Sequence, residues 1–153
     1  MDLPEKLQRV VDRFASAPRE LKGQALLRYA EKVPPLPAEY ADDPSRLARV
    51  HECQSPFFLA TQIDDDGGVH LHFDCPPETP TVRGFAGVLR EGLEGEHFSV
   101  VLNVPITFYS AMGLEEIVSP MRLRGMGAIL AAIRRGIVEE AAKRGLAENL
   151  QER

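Results

Sequence analysis

The pattern of this sequence predicts an α+β domain, on three observations. Leu7, Val10, Val11 and Phe14 recur at helical spacing near the start, Val69 to Asp74 alternates strictly behind an Asp/Gly-rich turn, and Met126, Ile129, Leu130, Ile133 and Ile137 carry a helical stripe near the end. A length of 153 residues suits one hydrophobic core and is short for two, so a single domain over 1–153 is expected.

Taken in order, Asp2 is placed to cap a first helix with Pro4 in its opening turn. Ser16-Ala17-Pro18 interrupts, and Leu26, Tyr29, Ala30 and Val33 renew the stripe until Pro34-Pro35-Leu36-Pro37 forbids continuation. A helical pair over about 3–33 therefore opens the chain. Residues 34–49 hold four prolines and the charges of Asp42-Asp43-Pro44-Ser45-Arg46, which predicts an irregular surface connection.

Phe57 to Ile63 favours a strand, Asp64-Asp65-Asp66-Gly67-Gly68 turns it, and Val69 to Asp74 returns, giving a β-hairpin. Pleating sends Val69, Leu71 and Phe73 to one face and His70, His72 and Asp74 to the other, so the apolar trio is the core face. Cys75-Pro76-Pro77 ends the strand, and Val82, Phe85, Ala86 and Leu89 restore helical spacing up to the glycines at 92 and 95. Residues 96–118 read two ways: Phe98 to Val101 suits a strand or a short helix, and Leu114 to Ile117 suits another short helix. The sheet and its covering helices occupy about 50–118. Ser119-Pro120 then starts a long helix over about 120–145 that ends toward Gly145.

Charge excludes several function classes. Eighteen Lys+Arg against 23 Asp+Glu leave −5 spread along the chain, with no basic footprint for nucleic acid or anionic lipid. The longest apolar run, Ala128 to Ile133, is far too short to span a bilayer, and the first residues lack the basic-then-apolar order of a signal peptide. A cytoplasmic protein is expected, and in a reducing compartment its two cysteines are expected to be free thiols.

The residue with the clearest chemical promise is Cys53, in Arg49-Val50-His51-Glu52-Cys53-Gln54-Ser55-Pro56, at a boundary between loop and strand. Thiolate is the reactive form of cysteine, and a loop lets it meet a partner. Two readings stand side by side: a small buried hydrophobe, or a thiol held in a shallow pocket between the apolar anchors Val50 and Phe57 and the polar Gln54 and Ser55. Glu52 would raise its pKa and a protonated His51 would lower it. None of the four histidines sits in a protease signature, which argues against a cysteine protease. Cys75 reads as a structural thiol. Cys53, Cys75, His70, His72 and Asp74 contain ligand types for zinc or iron, but the cysteines lack Cys-x-x-Cys spacing and the histidines alternate as exposed strand residues do. Gly125 and Gly127 lack the lysine and third glycine of a phosphate loop and read as close helix packing. Arg122 and Arg124 sit at the positive end of the last helix's dipole, which leaves open either a specific partner or plain surface charge.

The combination of Val50-His51-Glu52-Cys53-Gln54-Ser55 after a helical pair, then Thr81-Val82-Arg83-Gly84, then Ser119-Pro120-Met121-Arg122 with Gly125-Met126 resembles the SufE family of sulfur acceptors. The resemblance runs from about Leu7 to Arg135, and its most specific part is the Cys-Gln-Ser loop. It departs from the family pattern at Glu52, where many members have glycine, and at Pro56-Phe57-Phe58. It implies a fold shared with IscU-type scaffolds, a small curved antiparallel sheet flanked by helices. It also implies that Cys53 takes persulfide sulfur from a SufS- or CsdA-like cysteine desulfurase and stimulates that enzyme, with Gln54, Ser55 and Arg122 in support. The sulfur then passes to a downstream iron–sulfur scaffold. On this reading the chain is a sulfur-transfer partner rather than a stand-alone enzyme. It carries no metal or resident cofactor, pyridoxal phosphate stays on the desulfurase, and a homodimer is compatible. The alternative is an IscU-like metal or cluster scaffold built on Cys53, Cys75 and a nearby His or Asp.

Overall fold

The computed structural model describes residues 3–146. Helices α1 (Glu5–Ser16) and α2 (Arg19–Glu31) open the chain, followed by one turn of helix, α3 (Ala38–Ala41), and a 3-10 turn over Pro44–Arg46. Strands β1 (Ala48–Arg49), β2 (Phe58–Ile63) and β3 (Val69–Asp74) form an antiparallel sheet in that order. Helix α4 (Pro80–Leu93), α5 (Phe98–Leu102), 3-10 turns at Phe108–Met112 and Leu114–Glu116, and α6 (Pro120–Lys143) complete the fold.

The sheet follows the expected alternation. Val69, Leu71 and Phe73 are buried, His70 and His72 are half-buried and Asp74 is exposed. The hairpin turn works because the Asp64 carboxylate accepts the backbone N–H of Asp66 and Gly68, both at 2.9 Å, while Gly67 takes φ +85°. Two expectations need correction. The segment 34–49 is more than an irregular connection: it contains α3, the 3-10 turn and the edge strand β1, which pairs Ala48 with Leu59 and Arg49 with Phe58. A strand of two exposed residues carries no periodicity long enough to detect. The first helix starts at Glu5, with Pro4 just before it rather than in its opening turn, and Asp2, the expected cap, lies outside the described residues. The ambiguity at 98–101 resolves as helix, held by the His97 imidazole accepting Ser99 N–H.

The helical layer is set by two close approaches. A Cβ placed on Gly84 would lie 2.4 Å from the Leu26 carbonyl oxygen, and one on Gly87 would lie 2.1 Å from that of Tyr29. Helix α4 therefore rests on the backbone of α2, and α1 packs on its far end, where Leu7 meets Gly92. Leu7, Val10, Val11 and Phe14 are all buried, each stabilising the fold by about 1.5–3 kcal/mol when fully desolvated. Helix α6, capped by the Ser119 hydroxyl accepting Arg122 N–H at 3.3 Å, runs along β2 and brings its first turns over the β1–β2 connection.

One ion pair clasps the sheet to α4. His70 sits between the carboxylates of Glu94 (2.6 Å) and Asp64 (2.7 Å), and Glu94 also accepts Leu71 N–H. Hydrogen bonds first to Glu94 and then to Asp64 raise the His70 pKa above its ordinary value.

Both the helix contact and the clasp can be tested by substitution. Gly87→Ala should destabilise the protein by about 1–3 kcal/mol in urea unfolding, because the methyl cannot be housed without moving α4. For His70 the folded pKa exceeds the unfolded value of 6.5, so its contribution is complete below pH 6.5 and disappears as pH rises through the raised folded pKa. The Tm difference between wild type and His70→Gln should therefore be largest near pH 6 and shrink at pH 9; a difference independent of pH would refute the clasp.

Candidate functional site

Cys53 lies in the eight-residue connection between β1 and β2, residues 50–57. The base of this connection is pinched shut: Val50 N–H donates to the Phe57 carbonyl at 2.8 Å, and both side chains are fully buried. Phe57 packs on Phe73 with ring centroids 5.7 Å apart. Within the turn Cys53 N–H donates to the Val50 carbonyl at 3.2 Å, which rolls the thiol inward while His51, Glu52, Gln54 and Pro56 stay exposed. The Cys53 side chain is thus 7% exposed on a segment whose neighbours are in solvent.

The first turns of α6 roof the thiol. Its Sγ is 3.8 Å from the Gly125 carbonyl oxygen, to which S–H is a weak donor. A Cβ on residue 125 would lie 3.6 Å from Sγ, an ordinary contact, so the glycine leaves one atom's worth of room above the sulfur. That room belongs to a pocket of about 40 Å³ between Cys53, Gln54, Ser55, Glu52, Val82, Met121, Arg122 and Gly125. The volume is close to that of one small molecule such as water, or one more sulfur atom.

Burial pushes the Cys53 thiol up to about 11, helped by the Glu52 carboxylate and by Cys75. At that value on the order of one thiol in 10⁴ is ionised at pH 7. The resting side chain is a protonated, shielded thiol with little nucleophilicity.

The structure therefore brings Cys53, Gln54, Ser55 and Arg122 to one pocket. Arg122 reaches it because α6 starts there, and Arg124 lies on the adjoining surface with Gln54. Sequence reasoning did not identify Val82, Met121 or the roofing role of Gly125. The Gly125-Met126-Gly127 run carried a signal, since glycine inside a helix marks a close neighbour.

Cys75 is elsewhere engaged. The Arg83 guanidinium donates to the carbonyls of Cys75 (2.8 Å), Ala30 (3.0 Å) and Val33 (3.3 Å), and its Nη1 lies 3.7 Å from the Cys75 sulfur. Arg83 so ties the end of β3 to the end of α2. Burial raises the Cys75 pKa and Arg83 partly counters it. His70 is held by Asp64 and Glu94, and His72 by Gln62 at 2.7 Å. Among the described residues no group of three or more His, Cys, Asp or Glu side chains is arranged to hold a metal, so the ligand set of the scaffold alternative is not assembled. Among those residues, too, no helix is long and apolar enough to cross a membrane.

A small α+β domain that tucks one loop thiol under the start of a long helix, inside a polar-rimmed pocket, defines a protein with a protected cysteine. Comparison with known proteins makes the class specific. A family profile described as "SufE: Fe-S metabolism associated domain" matches residues 8–137. SufE-like proteins from two strains of Mycobacterium tuberculosis are 44% identical over 137 residues, covering 90% of this chain and 94% of theirs. The SufE-like protein 1, chloroplastic/mitochondrial, of Arabidopsis thaliana is 27% identical over 126 residues, 82% of this chain and 33% of the plant protein. The solution structure of a hypothetical protein from Thermus thermophilus superposes with a TM-score of 0.81 at 46% identity, covering 92% of this chain and 99% of that one. The chain belongs to the SufE family. Membership assigns it a sulfur-transfer role in iron–sulfur metabolism and partnership with a cysteine desulfurase.

The shielded thiol has a measurable signature. In a Cys75→Ser background, alkylation of Cys53 by iodoacetamide should run at least about a hundredfold slower near pH 8 than a free model thiol, and should still be accelerating past pH 10. A rate that levels off by pH 9 would contradict the buried, unactivated thiol.

Proposed function

We propose that Cys53 accepts sulfane sulfur from the persulfide of a cysteine desulfurase, stimulates that enzyme by relieving it of product, and delivers the sulfur to iron–sulfur cluster assembly. The observation that carries this reading is the position of Cys53: a buried thiol on an exposed turn, in a pocket with room for one added atom.

In the transfer step the Cys53 thiolate attacks the terminal sulfur of the donor persulfide. The new S–S bond forms as the old one breaks, and the donor cysteine leaves as thiolate. The product is a Cys53 persulfide, with no net oxidant or reductant consumed. Pyridoxal phosphate belongs to the desulfurase and is not needed on this chain. A thiol with its pKa near 11 cannot perform the attack at rest. Docking must roll the turn outward, where hydration and the cationic Arg122 favour the thiolate; withdrawal afterwards returns the loaded sulfur to the space beneath Gly125. The weak anchoring of the turn suits such motion, since between the Val50–Phe57 clamp and its far side the thiol itself is held by a 3.8 Å sulfur contact.

After incubation with desulfurase and cysteine, intact-mass measurement should show the wild type gaining the mass of one sulfur atom, reversibly on treatment with dithiothreitol. Cys53→Ser should gain none, and Cys75→Ser should gain as much as wild type. Sulfur found on Cys75 alone would sink the assignment.

A further inference from the structure

Beside the cysteine pocket lies a second depression whose purpose the packing does not explain. A groove of about 270 Å³ runs between α2, the start of α4 and the segment before α6, lined chiefly by Gly23, Leu26, Leu27, Pro80, Ile117 and Val118. Leu27, at its edge, is 49% exposed.

Gly23 is the telling residue. It stands inside α2, where glycine is costlier than alanine. The other glycines of the α2–α4 contact are required by close approach, as Gly84 and Gly87 are, but a Cβ on Gly23 would meet nothing within 4 Å. Its φ is not positive either. No contact within the fold calls for glycine here; what its missing side chain does is keep the groove floor low.

The groove is continuous with the face that covers Cys53. Ile117 lines both the groove and the surface depression around Pro120, Met121 and Arg124, and Gln54, Met121 and Arg122 line both that depression and the cysteine pocket. Met121, between them, is 48% exposed. The segment carrying Ile117 is braced from below by a buried lysine: Lys22, 3% exposed, pairs with Glu116 at 3.1 Å and donates to the Gly113 carbonyl at 3.4 Å. Among the described residues, Arg122 and Arg124 have no carboxylate at salt-bridge distance.

We infer that this groove is a docking site for the sulfur-donating protein, which inserts a bulky apolar side chain over Gly23 and presents carboxylates to Arg122 and Arg124. The inference rests on the reading of Cys53 as sulfur acceptor and adds to it a second anchor, away from the reacting sulfur. An apolar anchor in a pocket flanked by charge is the usual composition of an interface centre and its rim. Anchoring at the groove holds the partner while the 50–57 turn is free to roll out, so affinity and sulfur transfer draw on different residues.

The test uses the full chain and the purified cysteine desulfurase of the same organism. Gly23→Phe fills the groove, and Leu27→Glu, at an exposed position, places a charge at its edge. Each should raise the concentration of this protein that half-saturates desulfurase-driven loading at least tenfold, with little change in the maximal rate. In a Cys75→Ser background the slow alkylation of Cys53 by iodoacetamide, which needs no docking, should match that of the parent in both variants, and Gly23→Ala should raise Tm. Unchanged half-saturation in Gly23→Phe and Leu27→Glu, with normal Cys53 loading in wild type, would overturn the groove assignment and leave the acceptor reading standing. No Cys53 loading in wild type would overturn both. A wild-type dimer in sedimentation that Gly23→Phe abolishes, with desulfurase-driven loading unaltered, would assign the groove to a second copy and overturn the proposal.

Discussion

The structure turns on a conflict at one sulfur atom. Burial of Cys53 beneath Gly125 protects the thiol and strips it of reactivity in the same act, because a low-dielectric pocket disfavours the thiolate. Reactivity at rest would invite oxidation of an exposed thiolate, and permanent burial would prevent transfer. The fold's answer is geometric. The clamp between Val50 and Phe57 fixes where the turn begins and ends, whereas the turn itself, with His51, Glu52, Gln54 and Pro56 in solvent, is lightly held. A firm base and a lightly held tip are what the proposed transfer requires of this turn, whose motion would then leave the sheet undisturbed.

The rest of the molecule keeps that geometry rigid. The bracing of α4 on α2 through Gly84 and Gly87 brings the two backbones together, and the Arg83 guanidinium, spanning three carbonyls, locks the end of β3 to the end of α2. Both devices set the position of Val82 at the rim of the cysteine pocket. The same layer supports α6 from below, so the roof over Cys53 and the floor beneath it are parts of one core.

The surface around the site is asymmetric. Gln54, Arg122 and Arg124 share one surface depression with Met121 and Ile117, and from Ile117 an apolar groove leads away toward α2. The docking proposal separates the anchor from the reacting atom, and it does so for a physical reason: a tight grip on the thiol-bearing turn itself would oppose its motion. The buried Lys22 fits this division, since its pairing with Glu116 stiffens the groove without approaching the sulfur.

Much of the fold is legible in the order of residues alone. Helix starts at Ser119-Pro120, the Asp64 to Gly68 turn and the alternation of Val69 to Asp74 depend on residues close in sequence, so period and capping chemistry determine them locally. The loop Cys53-Gln54-Ser55 and the later Arg122 were likewise readable as a set through family resemblance. What the tertiary structure alone decided is everything that joins distant segments. Strand β1 exists because β2 is there to pair with it, and Arg83 matters because two chain ends converge on it. The local turn points Cys53 inward, but its burial depends on Gly125, 72 residues away, and no local pattern encodes a contact whose energy comes from the whole core closing around it.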